Sequence, residues 1–527
     1  RYSQEWVGVF NEGIELFQPD GEVKLLKHDP NDINSLANNV VEKIFEDASG
    51  NIWFGTISGL SVYRPNMQKF KKIGAYKGNI NGLQDDNIYH AYQDSREDIW
   101  FCTYNGGIAK LDNRTKKIIN YNKANSKGLI SNSTRVLLEE KPGFYWVGTG
   151  NNGLYLFNEK NKEFNRVMTD IHPIIYIKDL KKTDDNTLWV GCGNGLFVYN
   201  IEKKESRKFD DDRLTGIYQI EYLEKENKLL IASFNSGLLV FDLEKNMVEN
   251  QFVHNDSDSL SLSNNSVMCI TKLSKDIYCL GTFGGGFSVF DYQKRIFVNY
   301  GIKDGLSNEA IYGILKEENA VWLSSNKGLS RYDLSNNSVK NYDINAQVQS
   351  LEFNEGAFLK SKDGTMYFGG INGVNYFNPK NLKQNNYAPK VEIYKIKIFE
   401  EDYPYISNLT RDNPLKLTYK QNFVGFEFVA INFSNPEKCL YKYKLEGVDK
   451  DWVYTTKSRY AKYINLSPGV YTFYVKAANE DGVWTKEAQF IKIEISAPFW
   501  RELWFLLLVG LLLAGIVTFA IIQRAKR

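Results

Sequence analysis

The chain has little proline and still less histidine. Twelve prolines in 527 residues exclude a proline-rich or collagen-like polymer. The four histidines, His28, His90, His172 and His254, lack metal-ligand spacing, so no metal site or cofactor is expected and ordinary surface or core roles are predicted for them. The five cysteines, Cys102, Cys192, Cys269, Cys279 and Cys439, form no CxxC pair. An odd number cannot close into a full disulfide set, and buried free thiols are expected. Charge of one sign is missing too: 65 basic and 63 acidic residues leave a formal +2. No long basic run precedes the last few positions, which argues against nucleic acid as a partner. No ATP-binding glycine motif or phospho-accepting histidine region is visible, and no carboxylate pair stands apart from the acids of turns, so no catalysis is expected of this segment.

Aromatic residues are abundant, at 14% of the chain, which suits half-buried strands better than helices. The length exceeds one ordinary core, so two or more all-β domains are expected. One block returns nine times: an apolar pair, usually led by an aromatic, then a small residue, a polar turn with glycine, and an alternating strand. Its lead positions are Trp6, Trp53, Trp100, Trp146, Trp189, Leu230, Cys279, Trp322 and Tyr367, spaced 41 to 49 residues apart, the length of one four-stranded propeller blade. In residues 36–77 the four strands are predicted over 40–45, 52–56, 60–64 and 70–73, with turns at Asp47 to Asn51, Ser58-Gly59 and 65–68. The small residue after the apolar pair (Gly55, Cys102, Gly148, Gly191, Ala232, Gly281) is expected where innermost strands crowd the propeller axis. The lead aromatics are expected to pack between blades. Asp47 to Trp53 resembles the Asp-box turn of sialidases, a folding motif and no sign of hydrolysis. The predicted arrangement is a seven-bladed β-propeller over 83–385, with the last blades of a preceding propeller over 1–82; a ring of eight or nine blades is the alternative. The chain opens on Arg1 and enters mid-repeat at Trp6, and is read as an excerpt of a longer protein.

After Pro379 the repeat stops. Strand runs are predicted over 391–399, 415–419, 423–430, 440–445, 461–466, 469–479 and 490–495, with clear alternation around Tyr441 and Tyr443 and around Tyr471 and Phe473. Residues 386–498 are therefore expected to form an Ig-like β-sandwich. Residues 503–522 carry no charge and can cross about 30 Å of hydrocarbon. A single transmembrane helix is predicted over 499–523, with Trp500 and Trp504 at one interface. Arg524, Lys526 and Arg527 follow, which places the C-terminus in the cytoplasm and residues 1–498 outside.

The blade unit Leu36 to Val40, Glu46-Asp47, Gly50, Trp53-Phe54-Gly55-Thr56 and Gly59-Leu60 resembles the regulator-propeller repeat. Tyr441, Tyr443, Leu445, Gly447 and Trp452, then Leu466 to Tyr471 and Ala477 to Trp484, resemble the triple-tyrosine domain. In this order, ahead of a membrane helix, the parts resemble the periplasmic sensor region of hybrid two-component system receptors of glycan-degrading bacteria. The resemblance implies two seven-bladed propellers outside the bacterial inner membrane, and a histidine kinase, a receiver and a DNA-binding module inside it. It further implies an oligosaccharide ligand, a homodimer and control of glycan-utilisation genes. A membrane-tethered propeller hydrolase or lyase, and a scaffold binding another protein, are the competing readings.

Long loops on a rigid scaffold are where binding usually sits. The connections 74–87, 122–134 and 251–265 share a face with the turns between second and third strands. The ligand site is therefore expected there, with Tyr104, Asn105, Asn151, Asn152, Phe234, Asn235, Phe283 and Asn326 from the turns and Tyr89, Arg135 and Glu309 from the connections. Rings can cover sugar faces and amides can pair with hydroxyls. The alternative for the asparagines is that they take left-handed turn conformations.

Overall fold

A computed structural model describes the chain except for residues 1–3, 19–20, 31–33, 76–81, 169–175, 405–408, 410–412, 457 and 526–527. His172, Lys526, Arg527 and part of the 74–87 connection lie outside the described residues. The chain divides into two compact units, Gln68–Leu382 and the combination of Arg1–Met67 with Lys383–Arg527.

The first unit is a ring of seven four-stranded antiparallel sheets. The innermost strands of blades 1 to 7 are Ile88–Gln93, Thr134–Lys141, Ile177–Lys182, Ile217–Leu223, Val267–Lys272, Ile311–Lys316 and Phe353–Lys360. Blades 1 to 6 take their four strands consecutively from the chain. Blade 7 takes its three inner strands from 353–377 and its outermost strand from Lys71–Ile73, which pairs antiparallel with Gly373–Phe377. That strand was expected to finish the blade of residues 36–77. Its pairing moves the start of the ring from residue 83 back to the Gln68 end. The physical reason is closure: an outer strand from the start of the ring, paired with strands from its end, leaves no open edge between first and last blades. One apolar cluster then joins Ile88 and Phe101 of blade 1 to Ala357, Tyr367 and Val374 of blade 7.

Within the ring each lead aromatic packs against the following blade, as Trp146 does with Leu188 and Tyr199 and Trp189 with Leu229 and Phe241. The small residues behind them have a different cause from the one expected. A Cβ at Gly148 would lie 2.6 Å from Ile177 Cγ2, and one at Gly191 2.7 Å from Ile217 Cγ2. Gly148 and Gly191 stand on second strands, and the crowding comes from the next blade's innermost strand and, at Gly148, equally from Val136 Cγ1 of its own blade at 2.6 Å. All five cysteines are free and buried.

In the other unit, Glu5–Val9, Gly13–Phe17 and Val23–Leu26 form one three-stranded sheet, and Val41–Glu46, Ile52–Thr56 and Gly59–Tyr63 a second. The sandwich pairs a four-stranded sheet (Glu401–Asp402, Lys390–Ile398, Val424–Ile431, Tyr460–Tyr463) with a five-stranded one (Leu415–Leu417, Gln489–Ile495, Gly469–Ala478, Leu440–Glu446, Val453–Thr455). All seven expected strand runs are present; Glu401–Asp402 and Val453–Thr455 are additions. Alternation buries Tyr441, Leu445, Phe473 and Val475 in one core with Phe426 and Phe428. The second N-terminal sheet meets the sandwich through Trp53 and Phe433, edge to face at 5.7 Å, and through the Ser434 hydroxyl, which donates to Asn51 Oδ1 at 3.0 Å. Leu503–Ala525 is one strongly apolar helix of 23 residues, none of it buried, and about 34 Å long. It has the length and composition of a single membrane span.

Candidate ligand-binding site at the centre of the ring

Every innermost strand of the ring opens with a register shift against its neighbour. In blades 1 to 6 it falls between Ile88 and His90, Thr134 and Val136, Ile177 and Asp179, Ile217 and Gln219, Val267 and Cys269, and Ile311 and Gly313. In blade 7 it spans Phe353 to Phe358. A bulge leaves one residue unpaired and re-aims its side chain. The residues so released are Tyr89, Arg135, Lys178, Tyr218, Met268 and Tyr312, with Glu355 from the wider irregularity of blade 7.

Five of them converge. Tyr89, Arg135, Lys178, Tyr218, Glu355 and Gly356 line one pocket. Lys178 Nζ of blade 3 lies 2.5 Å from Glu355 Oε1 of blade 7, a contact between non-adjacent blades that crosses the ring. The same oxygen is 3.9 Å from Arg135 Nη1. The Arg135 guanidinium stands 3.7 Å above the Tyr89 ring and 5.2 Å from that of Tyr176, and Lys178 Nζ is 4.6 Å above Tyr218. Burial lowers the Lys178 pKa against the opposing pull of Glu355 and raises that of Tyr218 to about 12.

Around the pocket the rings continue. Tyr89 lies 6.0 Å from Tyr104; Tyr218 is 5.8 Å from Phe234, Phe234 6.0 Å from Phe283, and Phe283 6.3 Å from Tyr312. Tyr104 and Phe283 are 52% and 44% exposed, which leaves ring faces open to a ligand. The turns sit over the strand starts because their amides bond there: Tyr104 N donates to Asn87 O, Phe234 N to Gly216 O and Phe283 N to Ser266 O, at 2.8–2.9 Å.

The expected site residues divide accordingly. Tyr89 and Arg135 line the pocket, but from innermost strands and not from connections. Tyr104, Phe234 and Phe283 belong to the aromatic arc. Asn105, Asn151, Asn235 and Asn326 are exposed in their turns and Asn152 is half-buried; the Asn326 side chain hydrogen-bonds Tyr312. None of these asparagines has a positive φ. The left-handed positions in those turns are glycines such as Gly107 and Gly237, where a Cβ would lie 2.1–2.2 Å from a backbone oxygen of the outermost strand. Glu309 is structural: its carbonyl accepts from Gly284 and Gly286, and its carboxylate accepts from Ile302 N. Sequence reasoning missed Lys178, Tyr218, Tyr312 and Glu355. The signal was available, since each stands ten to twelve residues before its blade's lead position, where the first strand begins.

Behind the released residues, polar side chains tie blade to blade. The next residue along, His90, Asp179 or Gln219, accepts the amide of Leu137, Ile220 or Ile270 of the following blade. Burial lowers the His90 pKa to about 4, so it accepts as a neutral ring. Burial also raises that of Asp179 to about 6. Among the described residues no cluster of metal-ligating side chains is present.

This geometry agrees with comparisons to known proteins. Residues 35–58 and 82–105 match the two component regulator propeller family, and 432–496 match the Y_Y_Y domain. The chain thus carries regulator-propeller repeats and, after them, a segment like the Y_Y_Y domain. The fold of this regulator propeller is shared by the extracellular domain of BT3049 from B. thetaiotaomicron, assigned to a hybrid two component system. The TM-score is 0.77 at 23% identity, over 94% of this chain and 67% of that one. The extracellular domain of BT4673 from the same organism, assigned to a one component system, matches with a TM-score of 0.50 at 21% identity, over 94% and 68%. Histidine kinase P4 of Formosa agariphila is 29% identical over 275 residues, half of this chain and 20% of the relative. The chain thus spans about a fifth of the length of that curated relative.

Proposed function

We propose that this chain is the ligand-sensing, periplasmic region of a single-pass receptor in the bacterial inner membrane. In this reading it binds an oligosaccharide at the centre of the regulator propeller and signals as a homodimer to a cytoplasmic histidine kinase that controls glycan-utilisation genes. The two N-terminal sheets are the last blades of a preceding propeller, and Arg524 marks the cytoplasmic side. The reading rests on one observation: an arc of aromatic rings, Tyr104 and Tyr89 on one side and Tyr218, Phe234, Phe283 and Tyr312 on the other, surrounds a charged pocket on the ring axis. Aromatic faces bordered by amides and charges suit a ligand whose faces are apolar and whose edges are hydroxyls. The domain families and the membrane span support the receptor architecture. Trp500, 5.1 Å edge to face from Tyr419 of the sandwich, supplies a contact through which a change in the sandwich reaches the helix.

A thermal-shift screen against a glycan panel identifies the oligosaccharide, because a ligand that binds the folded state stabilises it. Replacing Tyr104 and Phe283 together by alanine should then weaken binding in calorimetry by about tenfold or more, with the fold intact by circular dichroism. Unchanged affinity would remove the arc from the site.

A further inference from the structure

Arg135 hydrogen-bonds Tyr89 but keeps one buried donor unsatisfied. Its side chain is 10% exposed, its guanidinium is stacked on Tyr89 at 3.7 Å, and its Nε is buried with no hydrogen-bond partner. The nearest carboxylate oxygen, Glu355 Oε1, is 3.9 Å from Nη1, beyond hydrogen-bond reach, and is already taken by Lys178 at 2.5 Å. Lys178 and Glu355 are themselves only 15% and 22% exposed. The pocket lining therefore holds two buried cations against one carboxylate, so one positive charge lacks a counter-charge. Burying a cationic donor without an acceptor is costly. A planar guanidinium presents its donors in a fork that fits a carboxylate or a sulfate at two points. Hydroxyls of a neutral sugar could occupy one donor but would leave the charge. The pocket measures about 10 Å³, about the space of one water, so one oxygen of a charged substituent can enter while its sugar ring stays on the arc outside.

We infer that Arg135 and Lys178 form an anion subsite, and that the ligand carries a carboxylate or sulfate ester which enters the pocket at the unpartnered edge of Arg135. Glu355 is the internal competitor: it keeps the two cations in place when no ligand is present and lowers the affinity for an incoming anion. This deepens the sensing reading above and rests on it for the sugar part of the ligand.

The test uses the full chain in detergent micelles, with sodium glucuronate, glucose 6-sulfate and glucose as probes at matched ionic strength. Binding is read by calorimetry and by the nitrogen shift of the Arg135 Nε–H, assigned by its loss in Arg135→Gln. One or both anions should bind and move that signal while glucose does not, and the choice between them separates a uronate from a sulfate ester. Arg135→Gln should weaken anion binding about tenfold or more. Glu355→Gln should strengthen it several-fold, a gain that misfolding cannot mimic. The inference is overturned if glucose binds as the anions do, if anion affinity is indifferent to Arg135→Gln, or if neither anion binds the wild type or Glu355→Gln. Two further results separate this inference from the function proposed above. A neutral oligosaccharide that needs Tyr104 and Phe283 but not Arg135 keeps the sensing site and ends the anion subsite. Anion binding that depends on Arg135, with a silent glycan panel, keeps the subsite and ends the oligosaccharide reading.

Discussion

The acidic turn residues tie the repeat together at the scale of single side chains. Asp94 Oδ2 accepts from the Trp100 indole at 2.9 Å and the Tyr145 hydroxyl at 2.8 Å, while Oδ1 accepts from the amides of Arg96 and Asp98. Asp47 binds Trp53 in the same way, at 2.9 Å. Thus each of these tryptophans is anchored by its own hairpin at one end, and the Trp100 ring packs into the next blade. Burial pushes the Asp94 carboxyl up, but the bonds from Trp100 and Tyr145 outweigh it and hold the pKa below its ordinary value. Asp94→Ala should destabilise the ring by about 3 kcal/mol in denaturant unfolding, because it leaves the buried Trp100 N–H and the Tyr145 hydroxyl proton without an acceptor. A depressed folded-state pKa makes the Asp94 contribution fully present above the ordinary value of 3.8, and lost as pH falls through the folded value. The variant should therefore lose this part of the acid sensitivity of the wild type.

The innermost strand is the element that joins stability to function. Its opening bulge sends one residue to the pocket and the next toward the neighbouring blade, where it meets an amide that the irregular ladder leaves free. Three polar solutions appear, in His90, Asp179 and Gln219. Near neutral pH the carboxylate solution carries a cost that the uncharged His90 and Gln219 avoid. Asp179 accepts from Ile220 N at 2.6 Å, yet burial raises its pKa from 3.8 to about 6. A raised folded-state pKa favours folding below about pH 4, and that advantage is lost as pH rises through about 6, a change of about 3 kcal/mol. Asp179→Asn keeps a carbonyl acceptor and removes the titration. The difference in unfolding free energy between variant and wild type should grow in the variant's favour across that pH window. A difference that stays flat would show that Asp179 does not titrate there.

At the scale of the whole ring, closure depends on three residues far from blade 7 in sequence. Lys71–Ile73 pairs with Val374 to Tyr376, and Ile73 packs on the cluster that joins blades 7 and 1. Replacing both Lys72 and Ile73 by proline removes two of the three amide donors of that strand. It should lower the stability of the ring by about 3 kcal/mol or more. Hydrogen exchange should show protection lost first in the strands of blades 7 and 1. Uniform loss across all seven blades would mean the ring unfolds as one unit regardless of its seam.

The repeat spacing determined the blades, the alternation around Tyr441 and Phe473 determined the sandwich strands, and an uncharged run determined the terminal helix. Each is a local signal, because a blade hairpin, an alternating strand and an apolar span are all specified by neighbours within one short stretch. The turn rings Tyr104, Phe234 and Phe283 were legible for the same reason, since turn chemistry marks where they sit. Tertiary structure alone decided the rest. Lys71–Ile73 reads as the last strand of its own blade, and only ring closure sends it elsewhere. Gly148 reads as an axial residue, and only its packing between Val136 and Ile177 explains it. Glu355, Lys178 and Arg135 are separated by up to 220 positions in the chain and share nothing in their local sequence. They meet because bulges re-aim one side chain per strand and the ring brings seven strand openings to one axis.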